Sequence, residues 1–174
     1  MTSAPHLSSS PPAATATEQL RTPLRLRLRP NALSAGHVDG AWWPRSRDLA
    51  AELPALLAVL AVRLGAIPRV SYNLTEWDSA PRQLALDGVR VRLSGFWSRP
   101  AHTVDVVAGD RHRTTLLLVP PDADATAAHD AMMRAAERGN TDTVEVLLRD
   151  VAAHESTADA RSTCIPEQTF QGVR

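Results

Sequence analysis

Within ten residues, from Asp39 to Asp48, the chain places two carboxylates, two adjacent indoles and two guanidiniums: Asp39, Trp42, Trp43, Arg45, Arg47 and Asp48. Guanidiniums just ahead of a helix suit a phosphate or carboxylate, because the unpaired backbone N–H groups and the helix dipole add to the fixed positive charge. Tyr72, Asn73 and Trp77 form a second cluster, able to wall a ligand or stack against a ring. These nine residues are the candidate ligand-binding set for an anion or small molecule. A protein partner is the other occupant such a surface suits, since exposed Trp and Arg are frequent hot spots. The competing reading is structural: one Trp plugs the core, Asp39 accepts hydrogen bonds from Arg45 or nearby amides, and Asp48 complements the dipole of the helix that follows.

Other chemistries have less to stand on. The six histidines, at 6, 37, 102, 112, 129 and 154, include no pair at helical i, i+4 spacing, so no metal set is expected. Ser94-Gly95 lacks the flanking glycine pattern of a nucleophile elbow, no Gly-rich phosphate loop is present, and the single cysteine, Cys164, sits near the C-terminus. His37 and Asp39 are the nearest acid and base, yet loop residues two apart meet only through a particular turn geometry. No catalytic residue and no cofactor are assigned. The chain reads as non-enzymatic, with a small-molecule enzyme working through the same loop as a remaining alternative.

Charge supplies a different alternative. The 174 residues carry 19 cations, all of them Arg, against 19 acids, so whole-chain charge does not point to nucleic acid or an anionic membrane. The distribution is uneven: residues 21–113 hold 14 Arg and 8 acids, whereas residues 114–174 hold 5 Arg and 10 acids. Arg25 and Arg27 alternate with leucines, as Arg90 and Arg92 alternate with valine and leucine. Together with Trp97 they suggest a basic, aromatic sheet face for single-stranded nucleic acid.

These groups are positioned by elements that the apolar periodicity predicts. Leu24, Leu26 and Leu28 alternate as in a half-buried strand. From Leu49 the apolar positions 53, 56, 57, 60 and 64 recur at helical spacing, with Ser46 or Asp48 as N-cap, Gly65 as the stop, and a kink or break near Glu52 caused by Pro54. Arg69 to Asn73 is a short strand. Leu84-Ala85-Leu86-Asp87-Gly88-Val89-Arg90-Val91 reads as a type I′ hairpin with Leu86 opposite Val89 and Leu84 opposite Val91. A second hairpin joins Thr103–Ala108 to Arg111–Val119 through Gly109-Asp110, which sets His112 opposite Val107 and His102 opposite Leu117. Asp122 or Asp124 caps a helix to about Arg138, and Asp142 with Glu145 resembles a capping box for a last helix.

The order strand, helix, run of strands, two helices predicts an α+β fold: a mostly antiparallel sheet of five or six strands with helices on one face. One domain is expected over residues 22–151, flanked by disordered tails at 1–21 and 152–174, which are polar and without periodicity. The first 20 residues contain no apolar h-region, and the longest uncharged apolar run, Leu53 to Val62, is half the roughly 20 residues of a membrane helix. A cytoplasmic location without membrane contact is the expectation.

The string Asp39-Gly40-Ala41-Trp42-Trp43-Pro44-Arg45-Ser46-Arg47-Asp48-Leu49, with Arg69 to Trp77, Leu93-Ser94-Gly95-Phe96 and Leu116 to Pro121, resembles an actinobacterial family known only as a domain of unknown function. The resemblance spans about residues 22–150. It implies the extent of the domain and a cytoplasmic class, and no chemistry.

Overall fold

Alternating and helical apolar patterns translate into strands β1 (Leu26–Leu28), β2 (Gly40–Trp42), β3 (Arg69–Asn73), β4 (Gln83–Leu86), β5 (Val89–Phe96), β6 (Thr103–Val107) and β7 (Arg113–Leu118). Helices α1 (Leu49–Leu64), α2 (Ala125–Ala135) and α3 (Val144–Leu147) accompany them. The structure is a computed structural model that describes residues 23–30, 36–78, 80–86, 88–109 and 112–153, so both expected tails lie almost entirely outside the described residues. No helix of the described residues is long and apolar enough to cross a membrane.

The strands form one sheet in the order β1-β2-β7-β6-β3-β5-β4. It is α+β, as expected, but with seven strands and mixed pairing: β2 runs parallel to β7 and β3 parallel to β5. The expected count of five or six mostly antiparallel strands missed β2. Three residues are too few to display alternation, and this strand is covered on both sides, with Ala41 and Trp42 each 0% exposed. A strand enclosed on both faces shows no polar alternation.

The helices also divide differently from expectation. Trp42, Leu116 and Leu118 join the leucines of α1 in one core, whereas Ala41 and Leu117 join α2 and α3 in another on the opposite face. Successive strand side chains point to opposite faces, so Ala41-Trp42 of β2 and Leu116-Leu117-Leu118 of β7 each join both cores. Helix α1 runs from the Asp48 cap, whose Oδ1 accepts from Ala50 and Ala51 N–H, to Gly65 at φ +72°. No break occurs at Pro54. An interior proline costs about 3 kcal/mol, and burying the five leucines Leu49, Leu53, Leu56, Leu57 and Leu60, at about 1.5–3 kcal/mol each, outweighs it.

Helix α2 starts at its Asp124 cap and ends at Ala135, short of Arg138. The capping box at Asp142 does not form. Asn140 Oδ1 accepts from Asp142 N–H, the N-cap is Thr143, and α3 is a single turn followed by further helical residues at 149–153.

The first hairpin has the expected register, Leu86 opposite Val89 and Leu84 opposite Val91, with Gly88 at φ +79°. The second is shifted by one residue: Val107 faces Arg113 and Thr103 faces Leu117. Ala108 N–H bonds to His112 C=O and Gly109 N–H to Ala66 C=O, so the ladder continues one position further before the chain turns. The shift sets Thr115 opposite Asp105.

Two glycine substitutions test this architecture. Gly88→Val should lower stability by about 1 kcal/mol or more, because a β-branched residue resists positive φ. Gly40→Ala should cost about 2 kcal/mol, in the range for overpacking, since its Cβ would overlap the Arg27 carbonyl and push β1 from β2. Chemical denaturation midpoints check both, and an unchanged midpoint for Gly40→Ala would show that β1 is not docked as described.

Candidate functional site

The Trp-rich loop is engaged largely in holding the fold. Trp42 is fully buried and stacks on Trp77, with ring centroids 5.4 Å apart and planes 24° from parallel. Tyr72 belongs to the same core, and burial raises its hydroxyl pKa. Trp43 is half-buried beneath the Arg25 guanidinium, which lies 3.5 Å from the ring centroid and donates to the carbonyls of Trp43 and Pro44 at 3.1 and 2.7 Å. Asp39 does not pair with Arg45. Its Oδ2 accepts from Thr115 N–H at 2.9 Å while its own N–H donates to Thr115 C=O at 2.7 Å, extending the β2–β7 ladder.

Asp48 occupies two of the first amides of α1 with its own carboxylate. Asn73 accepts from Thr75 N–H and Oγ1 and donates to Arg99 C=O at 2.7 Å. Arg45 is exposed and reaches Pro23 C=O, beside a recess of only about 40 Å³ that it shares with Arg25, Trp42 and Trp43. Arg47 is exposed and turns away to Thr75 C=O. The nine sequence candidates therefore do not converge on one cavity.

Two other places concentrate chemistry. The first is the uncovered half of the sheet face that carries α2 and α3. The apolar cluster of those helices includes Ala41 of β2 and Leu117 of β7 but no residue of β3, β4, β5 or β6. Opposite the inward Val70, Val91 and Leu93, this face presents the exposed Arg69, Arg90 and Arg92, and Arg113 of β7 joins them. Phe96 is 47% exposed at the end of β5, and Trp97 beside it is 74% exposed.

Near Phe96 the face deepens into a cleft of about 730 Å³, floored by Asp105, Thr103, Thr115 and Arg113 and rimmed by His37, Arg99 and Glu145. Asp105 is buried and paired with the Arg99 guanidinium; Arg113 Nε lies 3.7 Å from its Oδ2, and Thr115 Oγ1 donates to its Oδ1 at 2.8 Å. Burial and the neighbouring Arg113 lower the pKa of Arg99. Arg25 and Arg27, expected to share this basic face with Arg90 and Arg92, precede or lie in β1 at the far side of the sheet, and Arg25 is occupied by Trp43.

The second place is a pocket of about 250 Å³ at the carboxyl ends of β3 and β7, lined by Arg47, Glu76 and His102 among others. Glu76 Oε1 accepts from His102 N–H and lies 3.1 Å from His102 Nδ1, while Oε2 is buried with no hydrogen-bond partner among the described residues. Burial pushes the Glu76 carboxyl up to about 7, against the opposing pull of the His102 N–H and of Arg47. His102 itself sits at φ +56°, a region few non-glycine residues adopt.

Sequence reading missed Asp105, Arg99, Arg113, Glu76 and His102. An acid inside the apolar run Val104-Asp105-Val106-Val107 was the one available signal for the cleft, because a charge in a buried strand demands a partner. No group of three His, Cys, Asp or Glu among the described residues could hold a metal ion.

Compared with known proteins, residues 25–135 match the model of a family of unknown function, DUF5994. No curated protein and no solved structure matches the chain.

The raised Glu76 pKa makes stability depend on pH with a definite sign. The carboxyl ionises near its ordinary value when unfolded and only near 7 when folded, so its contribution is intact below about pH 4.5 and is lost as pH rises toward 7. Allowing for partial solvent screening, the loss is about 1–2 kcal/mol. Glu76→Gln should remove that decline and be the more stable protein at pH 8. Urea denaturation of both proteins across this range checks it, and parallel stability curves would contradict the assignment.

Proposed function

This chain belongs to the DUF5994 family, a family of unknown function, and from its geometry we propose that the uncovered sheet face binds single-stranded nucleic acid. The observation that carries the reading is the half-covered face. Arg69, Arg90, Arg92 and Arg113 stand exposed on it, and the one acid in β3–β7, Asp105, is already paired. A row of guanidiniums follows a phosphate backbone, and exposed aromatic rings provide stacking surfaces for bases whatever their sequence. Phe96 and Trp97 supply such rings at the end of β5, next to a cleft large enough for a nucleoside.

The polar floor fits the same role. The Thr103 and Thr115 hydroxyls donate to Pro100 C=O and Asp105 Oδ1, which leaves their oxygens beside Arg113 to accept hydrogen bonds from a base or sugar. Glu145 at the far rim repels phosphate, its carboxyl kept ionised by hydrogen bonds from its own backbone N–H and Thr143. The strand is therefore directed over Arg90, Arg92 and Arg69 rather than toward α3.

Fluorescence anisotropy with a labelled oligothymidylate and an oligouridylate, across a salt series, tests the reading. Replacing Arg90 and Arg92 with Gln should weaken binding about tenfold or more and flatten the salt dependence by about 1.4 in log–log slope, as expected for two lost phosphate contacts on a single strand. Trp97→Ala should cost about 1–3 kcal/mol if a base stacks there. Arg63→Gln, on the exposed side of α1, should change nothing. Absence of binding by the wild type at low salt ends the proposal, because the electrostatic contribution is largest there.

A further inference from the structure

The pocket at the carboxyl ends of β3 and β7 is separate from the basic sheet face and is assembled from four distant segments. Arg47 comes from the β2–α1 loop, Glu76 from the turn after β3, His102 from the β5–β6 connection, and Pro120 and Pro121 from the chain leaving β7. Arg47 spends one donor on Thr75 C=O, and a guanidinium has five in a planar fork that matches a carboxylate. Leu118, Pro120 and Pro121 give the pocket an apolar wall. Glu76 is tied to His102 through one oxygen while the other is buried with no hydrogen-bond partner among the described residues. A buried carboxylate oxygen without a partner is costly, so the neutral acid is the form that this setting favours.

We propose that this pocket binds a small monocarboxylate, its charge met by Arg47 and its apolar body lying on Leu118, Pro120 and Pro121, with a proton taken up at Glu76 as it enters. The groups facing Glu76 decide the charge that is accepted. Arg47 attracts one negative charge, His102 is held against Glu76, and Asp122 stands exposed at the rim. An ionised Glu76 and Asp122 together repel a second negative charge, which disfavours a phosphate dianion. Protonating Glu76 removes the nearer repulsion, so binding and proton uptake are linked.

Isothermal titration of the full chain with butyrate, and with inorganic phosphate as comparator, tests this. With the carboxyl titrating at about 7, a ligand that binds only the protonated form loses about tenfold in affinity between pH 6 and pH 8. Titrations in two buffers of different ionisation enthalpy should show proton uptake at pH 7. Arg47→Gln should abolish butyrate binding, Glu76→Gln should cut the pH dependence to less than about threefold, and the double replacement of Arg90 and Arg92 should leave both unchanged. At pH 8, where it is mainly the dianion, phosphate should bind more weakly than butyrate. The proposal is overturned if butyrate does not bind at pH 6, if Arg47→Gln binds it as well as wild type, if the tenfold pH dependence survives in Glu76→Gln, or if phosphate binds more tightly than butyrate at pH 8.

Discussion

The pairing of Asp39 with Thr115 is the contact on which the rest of the sheet depends. Two hydrogen bonds join residues 76 positions apart in sequence and lock the short β2 against β7. From there order spreads both ways. On one side Ala41 and Trp42 enter separate cores, and Trp42 stacks on Trp77, which fixes the turn that carries Glu76. On the other side Thr115, its backbone held by Asp39, has its hydroxyl directed at Asp105 on the floor of the cleft. Aromatic stacking contributes about 0.5–1.5 kcal/mol beyond area burial. The indole N–H groups of Trp42 and Trp77 find no acceptor among the described residues, an expense of the order of that stacking gain or more. The pair is favoured by its apolar area and shape rather than by polar contacts.

What could be read from the sequence divides along physical lines. Helices α1 and α2 and the β4–β5 register were legible, because each buries one side and exposes the other over enough residues to show a period; β3, buried at four of its five residues, was legible from its composition after Pro68. The Asp48 cap, the Gly65 stop and the positive φ of Gly88 followed from local chemistry. Strand β2 was not legible, being three residues long and covered on both sides, and without it the parallel pairing to β7 could not be inferred. The β6–β7 register depended on a hydrogen bond from Gly109 to Ala66, a contact between distant segments that no hairpin rule contains. The Glu76–His102 pair and the Arg99–Asp105 pair failed to show for the same reason: their partners lie in different loops and strands, brought together only by the strand order.

The charge asymmetry of the sequence finds a structural counterpart. Arg134 pairs with Asp142 and Asp150 within the acidic C-terminal part, and Asp105 pairs with Arg99 and Arg113 within the basic strand-rich part. Each part thus satisfies charge internally, while Arg29 spans the two by donating to Asn140 C=O. Because the apolar packing of the C-terminal helices takes in β2 and β7 but none of β3, β4, β5 or β6, the exposed Arg69, Arg90 and Arg92 of β3 and β5 stand on the remaining half of that face.

The strand order has a consequence for association between molecules. Among the described residues the outermost strands are β1, of three residues, and β4, of four, and prolines lie close to both, Pro30 after β1 and Pro81 before β4. A proline has no N–H to offer an incoming strand, and so short a margin gives at most a few intermolecular backbone hydrogen bonds. The sheet therefore cannot readily grow sideways by recruiting a second chain. A broad, polar, partly naked sheet surface can then be kept available for other contacts without inviting the fibre-forming stacking that long open margins encourage.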